Sequence, residues 1–104
     1  MRQVMVRYRV KPERVEENEA LVRAVYDELG RTRPAGLRYA TLKLDDGVSF
    51  VHLAFVETEN GHNPLSDVAA FREFQREVAD RCDEAPVVTE LSMVGSFRIF
   101  GDAP

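Results

Sequence analysis

Residues 46–57, Asp46-Gly47-Val48-Ser49-Phe50-Val51-His52-Leu53-Ala54-Phe55-Val56-Glu57, form the longest apolar run in the chain. The run is rich in β-branched and aromatic residues and opens on an Asp-Gly turn dipeptide. It reads as a central strand entered from a tight hairpin. Both of its faces carry apolar groups: Phe50, Ala54 and Val56 on one, Val51, Leu53 and Phe55 on the other. Such a strand must be covered on both sides. Two helices can cover one face of a sheet, and 104 residues leave little to cover the second. The sequence therefore predicts a partner subunit. A chain this short buries only about 60–65% of its unfolded surface alone, so association would add burial that it lacks.

The flanking segments supply the other elements. Gln3 to Val10 alternates, with Val4, Val6, Tyr8 and Val10 on one face and Met5, Arg7 and Arg9 on the other, which predicts a first strand. Lys11-Pro12-Glu13 ends it, and Pro12 with the acids that follow suits a helix N-terminus. A helix is expected from about Pro12 to Arg33, with Val15, Val22, Val25 and Leu29 at helical spacing and Asn18 on the same stripe. Gly30 or Pro34 is expected to end it. Leu37 to Leu44 reads as the second strand, and Asp45-Asp46-Gly47 as the hairpin into the third. The segment 58–64 is the most loop-like in the chain.

A second helix is expected from about Ser66 to Asp83. Its stripe holds Val68, Phe71, Phe74 or Gln75, Val78 and Cys82, and Ser66 or Asp67 would cap it. Glu84-Ala85-Pro86 reads as a break, followed by a last strand from Val87 to Phe100. That strand is long enough to need a bulge or bend at Gly95. Its end, Phe97-Arg98-Ile99-Phe100, is apolar enough to need a partner. The order strand, helix, strand, strand, helix, strand is the split βαβ layout. It predicts one α+β domain over residues 1–104, with a ferredoxin-like βαββαβ fold. The four-stranded sheet is antiparallel and carries both helices on one face. The bare face would then meet a second copy, with the C-terminal strand reaching across.

The net charge of −4 disfavours nucleic acid as a partner, since phosphate neutralisation needs a basic surface. The βαββαβ order is shared with RNA-recognition modules, but their third-strand signature is not met. Asp46 stands at the basic position, and Val48 and Leu53 at stacking positions. No apolar run reaches membrane-spanning length and no signal-peptide core is seen, so no membrane partner is expected. The single Cys82 cannot form an internal disulfide and suits a cytoplasmic location. On the helix stripe it reads as a packing residue and not a nucleophile.

His52 is the leading candidate for chemistry. A histidine among Phe50, Ala54 and Val56 could act as a base toward a phenolic substrate, or be a hydrogen-bonded core residue. Asn18, which breaks an apolar stripe, could orient a ligand carbonyl or dioxygen, or bond to nearby backbone. Tyr39 and Tyr26 could line a pocket or simply sit half-buried, Arg7 with Arg9 could receive an anion or be solvated, and His62 sits in a loop that could carry function or only turn chemistry. Gln75 is a weaker candidate. Two histidines on separate elements, without a carboxylate at ligand spacing, do not compose a metal site. Neither metal nor cofactor is expected.

The architecture resembles the dimeric α/β-barrel superfamily, and within it the small antibiotic-biosynthesis-monooxygenase-like (ABM-like) proteins. The likeness is carried by Val4–Val10 running into Lys11-Pro12-Glu13, by Gly36-Leu37-Arg38-Tyr39, by Phe71-Arg72-Glu73-Phe74 and by the long last strand. The resemblance implies a homodimer whose two sheets form a barrel, with a pocket in each subunit between helices and sheet. It also implies a possible activity, that of cofactor-independent oxygenases on aromatic polyphenols. The haem-degrading branch of the superfamily pairs a Trp with a His beside an Asn, and this chain contains no Trp. Two readings of function follow. One is a cofactor-independent monooxygenase for a small aromatic or quinol substrate. The other is a non-catalytic dimeric domain that binds a small ligand or serves as an accessory unit.

Overall fold

The computed structural model describes residues 1–99. Four strands form one sheet: β1 (Arg2–Val10), β2 (Leu37–Lys43), β3 (Ser49–Val56) and β4 (Cys82–Glu90), in the spatial order β2-β3-β1-β4 with every neighbouring pair antiparallel. Helices α1 (Val15–Thr32), α2 (Ala69–Gln75) and the single turn α3 (Val78–Arg81) make the connections. The expected ferredoxin-like α+β architecture is the one observed. Tyr8, Val10, Phe50 and Ala54 from the sheet meet Val22 and Val25 of α1 and Phe74 of α2 in one core.

Register follows the pleat. Opposite Val4, Val6 and Tyr8 on β1 stand Ala54, His52 and Phe50 on β3. On the other side of β3, Tyr39 and Thr41 stand opposite Ala54 and His52. Alternation puts all of these on the helix-covered face. The opposite face carries Met5, Arg7, Leu42, Val51, Leu53 and Val87, of which Leu42 and Val87 are more than half exposed.

Turn chemistry holds the strands in place. At the β2–β3 hairpin Gly47 adopts φ 78°, and the Asp46 carboxylate accepts from the Val48 and Ser49 N–H groups and the Ser49 hydroxyl. Helix α1 runs past Gly30 and closes on Arg33, left-handed at φ 44°, whose N–H donates to Leu29 O at 2.8 Å.

The C-terminal half differs from the sequence expectation. The helix expected over 66–83 is divided into a 3₁₀ turn (Pro64–Asp67), α2 and α3. The break falls at Arg76 and Glu77, the latter left-handed at φ 60°. Neither Ser66 nor Asp67 caps α2. The Glu28 carboxylate on α1 accepts from the Ala69 and Ala70 N–H groups at 3.1 and 2.9 Å, capping α2 from a neighbouring helix. Cys82 is not on a helix; it opens β4 and is buried.

Strand β4 also starts earlier and ends sooner than expected. Ala85 and Pro86 lie inside it because it is an edge strand and its register slips there, from Arg7↔Val87 to Arg9↔Glu84. A proline at an edge bulge leaves no ladder bond unmade. The strand stops at Glu90. The segment after it is irregular, so Gly95 marks no strand bulge, and Phe97–Ile99 form no strand. Val94, Phe97 and Ile99 are exposed. Phe100, expected to end the strand, lies outside the described residues.

Candidate functional site

The sheet and helices enclose a cavity of about 370 Å³. Tyr8, Tyr39, His52, Phe71, Phe74 and Val88 are among its lining. Strand parity builds the polar wall: Tyr8 on β1, His52 on β3 and Tyr39 with Thr41 on β2 all point at the helices. The α2 spacing i, i+3 brings Phe71 and Phe74 together on the facing wall. The His52 ring lies 5.2 Å from the Phe74 ring centroid, and Tyr39 meets Phe71 edge-on at 6.3 Å.

A continuous hydrogen-bond chain crosses this wall. The Tyr8 hydroxyl stands 2.8 Å from His52 Nε2. On the other side of the ring, Nδ1 meets Tyr39 Oη at 2.5 Å and Thr41 Oγ1 at 3.2 Å, and Thr41 Oγ1 meets Tyr26 Oη at 2.8 Å. Asn18 Nδ2 donates to Tyr8 Oη at 3.0 Å. Arg81 Nε donates to Asn18 Oδ1 at 3.3 Å. The same guanidinium donates to Phe74 O at 2.7 Å and Arg76 O at 3.2 Å, carbonyls freed by the break between α2 and α3, and it lies over the Phe74 ring. Among the described residues every buried side-chain nitrogen and oxygen has a partner. A buried polar network of this kind is stable because it is complete.

Burial dominates the electrostatics. It pushes the His52 pKa down to about 4, so the imidazole is neutral at physiological pH. It pushes the phenols of Tyr8 and Tyr39 well above their ordinary value, against the smaller opposing effects of Asn18 on Tyr8 and Thr41 on Tyr39. Tyr26 is raised for the same reason. Arg81 is buried, and among the described residues it makes no ion pair. Its positive charge is therefore spread onto carbonyl oxygens and an aromatic face.

Five of the eight residues singled out from the sequence come together here, Gln75 among them as a lining residue. His52 and Tyr39 line the cavity, Tyr26 joins the network through Thr41, and Asn18 sits fully buried behind Tyr8 with both ends of its amide engaged. Arg7 is exposed on the opposite face of the sheet. His62 is in the 58–64 loop, where Nε2 meets Asp67 Oδ2 at 2.8 Å on the surface. Sequence reasoning missed Tyr8 and Arg81. Tyr8 had a readable signal, a hydroxyl on an otherwise aliphatic strand face that must find a buried partner. Arg81 had none, since on a helical reading it is one charge among many. Among the described residues no group of three or more His, Cys, Asp or Glu side chains could hold a metal ion. No helix among them is long and apolar enough to cross a membrane.

The fold and site together define a ferredoxin-like α+β domain with an aromatic-lined cavity between helices and sheet. No protein-family model matches the chain, and no curated protein matches it in sequence. Solved structures do match. A Nitrosomonas europaea protein carrying the antibiotic biosynthesis monooxygenase designation superposes with a TM-score of 0.73 at 20% identity, covering 91% of this chain and 100% of that one. A Bacteroides thetaiotaomicron protein with the same designation gives 0.74 at 15% identity and 89% of each chain. SnoaB from Streptomyces nogalater, a cofactor-independent oxygenase solved as its N63A mutant, gives 0.66 at 13% identity, covering 91% of this chain and 94% of that one. The chain therefore has the ABM-like fold.

Proposed function

We propose that this chain is a cofactor-independent monooxygenase acting on a small aromatic quinol held between helices and sheet. The observation that carries the reading is the cavity. Its volume is in the range of small-molecule sites, its walls are aromatic, and its polar groups converge on one side. Phe71, Phe74 and Tyr39 offer faces and edges to a flat ring. The substrate hydroxyl donates to Tyr8 Oη, and as its proton moves there Tyr8 passes its own proton to His52 Nε2, so that the ring gains electron density. The electron-rich ring then reduces dioxygen. One oxygen atom enters the ring and the other leaves as water. A quinol plus dioxygen becomes a hydroxyquinone plus water, so the substrate itself supplies the two hydrogens and the electrons. That balance is the chemistry of an oxygenase without a cofactor, the class to which SnoaB belongs.

The same reading includes a homodimer. The uncovered sheet face, with Leu42 51% and Val87 62% exposed, and the apolar residues beyond β4 are what a second copy would shield. Leu42→Glu leaves the isolated fold intact, because the side chain is at the surface, and is expected to shift sedimentation from dimer to monomer. A free, buried Cys82 is compatible with the cytoplasm as the compartment.

The test is oxygen consumption with a panel of benzo-, naphtho- and anthra-hydroquinones, corrected for autoxidation. Turnover that falls at least tenfold in His52→Ala is the expected result. No turnover across the panel refutes the oxygenase. It would favour the second reading, a ligand-binding dimer, which one observation already supports: both nitrogens of His52 are occupied by protein hydroxyls.

A further inference from the structure

We propose that Arg81 and Asn18 are positioning residues that fix His52 in the tautomer protonated on Nδ1, and thereby set which tyrosine accepts and which donates in the cavity. Arg81 is the group along this chain whose polarity is fixed. An arginine only donates. Its Nε lies 3.3 Å from the Asn18 side chain, so the Asn18 oxygen faces it. The Asn18 nitrogen then faces Tyr8 and donates to its oxygen. Tyr8 has one hydrogen of its own, and the acceptor it meets is His52 Nε2 at 2.8 Å. That nitrogen must be bare, and a neutral imidazole then carries its hydrogen on Nδ1. The Nδ1 hydrogen points between Tyr39 Oη and Thr41 Oγ1.

The other tautomer would aim two hydrogens at the Tyr8 oxygen and leave the Tyr8 hydrogen without a protein acceptor, directed into the largely apolar cavity. In a buried site an unmade bond of that kind is strongly disfavoured. Asn18 and Arg81 are 0% and 2% exposed, so protein groups set each polarity along the chain. The consequence reaches the cavity, where both tyrosines are lining residues. Tyr8, its hydrogen spent on His52, has a lone pair left to accept from a ligand hydroxyl. Tyr39 accepts from His52 and keeps its own hydrogen, to give to Thr41 or to a ligand carbonyl. The cavity therefore favours a ring with a hydroxyl toward Tyr8 and a carbonyl toward Tyr39.

The experiment reads the tautomer directly and rests on the oxygenase reading only for its catalytic meaning. Protein labelled with ¹⁵N-histidine is examined by long-range ¹⁵N–¹H correlation at neutral pH, with His62→Asn used to assign the His52 signals. The wild type is expected to show a protonated Nδ1 and a bare Nε2. In Asn18→Asp the carboxylate accepts from both Arg81 and Tyr8, the Tyr8 hydrogen turns away from His52, and the tautomer is expected to reverse. In Tyr8→Phe the link is cut and both tautomers are expected. A wild-type His52 protonated on Nε2 overturns the proposal, whether or not the variants fold. So does a folded Asn18→Asp or Tyr8→Phe that keeps the Nδ1 form alone. The expected spectra without quinol turnover would refute the oxygenase and leave the positioning role standing; turnover with the opposite tautomer would do the reverse.

Discussion

Lowering the pH from 7.5 to 5.0 is expected to weaken the fold by about 2 kcal/mol through His52 alone. The side chain is 5% exposed, and burial lowers its pKa from 6.5 to about 4. Between those values the unfolded chain takes up a proton on His52 and the folded chain does not. Because the folded value lies below the unfolded one, the contribution is complete above the unfolded value and is lost as the pH falls toward the folded one. The whole gap corresponds to about 3 kcal/mol, of which about 2 kcal/mol is gone at pH 5. Urea unfolding at one protein concentration, at both pH values, measures it in the wild type and in His52→Gln. The variant is less stable at either pH, because Tyr8 and Tyr39 lose a ring partner. Its additional loss on acidification should be smaller than that of the wild type by about 2 kcal/mol. All other ionisable groups are common to the two proteins and cancel in the difference. Equal losses in the two proteins would refute the claim that burial holds His52 neutral.

Two further perturbations bear on the scaffold that holds the site. Gly36→Ala places a Cβ 2.7 Å from Thr58 Cγ2 at φ 80°, and should lower the urea-derived stability by about 1–3 kcal/mol. Adding Thr58→Ser should restore only the part due to the clash; full restoration would show that the backbone angle carries no penalty. Glu28→Gln should lower the melting temperature at pH 7, because the carboxylate accepts from the Ala69 and Ala70 N–H groups and its pKa is lowered by those bonds. That stabilisation is present above the ordinary carboxyl range and fades as the pH falls through the lowered folded value. The gap between wild type and variant should therefore close in acid, and a gap independent of pH would count against a charged cap.

Strand parity made much of the site legible. Once Val4, Val6 and Val10 mark a buried face, Tyr8 must share it, and once Phe50 and Ala54 do, His52 must share theirs. What parity leaves open is which face the helices cover, and the register supplies that by pairing Val6 with His52 and His52 with Thr41. Asn18 was legible as an exception, a polar residue in an apolar stripe, and the network explains the exception. Long-range satisfaction was not legible. Glu28 caps a helix that begins 41 residues later, and nothing local to Ser66 or Asp67 signals this. Pro86 misled for a related reason: a proline forbids a central strand position and permits an edge bulge, and only the sheet order distinguishes the two.

Two of the features that escaped the sequence, the helix break at Arg76–Glu77 and the role of Arg81, are one feature. A break without Gly or Pro exposes helix carbonyls inside the protein, and buried carbonyls need donors. Arg81 supplies two of them, to Phe74 O and Arg76 O, by turning inward from the short helix that the break creates. Its third donor then reaches Asn18, and through it Tyr8 and His52. An unbroken helix from 66 to 83 would present no freed carbonyls to draw Arg81 inward. The histidine chain would then lose the fixed donor that gives it direction. The left-handed Glu77 is thus part of how this fold builds its cavity wall, and the strain at that residue is offset by the bonds it lets Arg81 make.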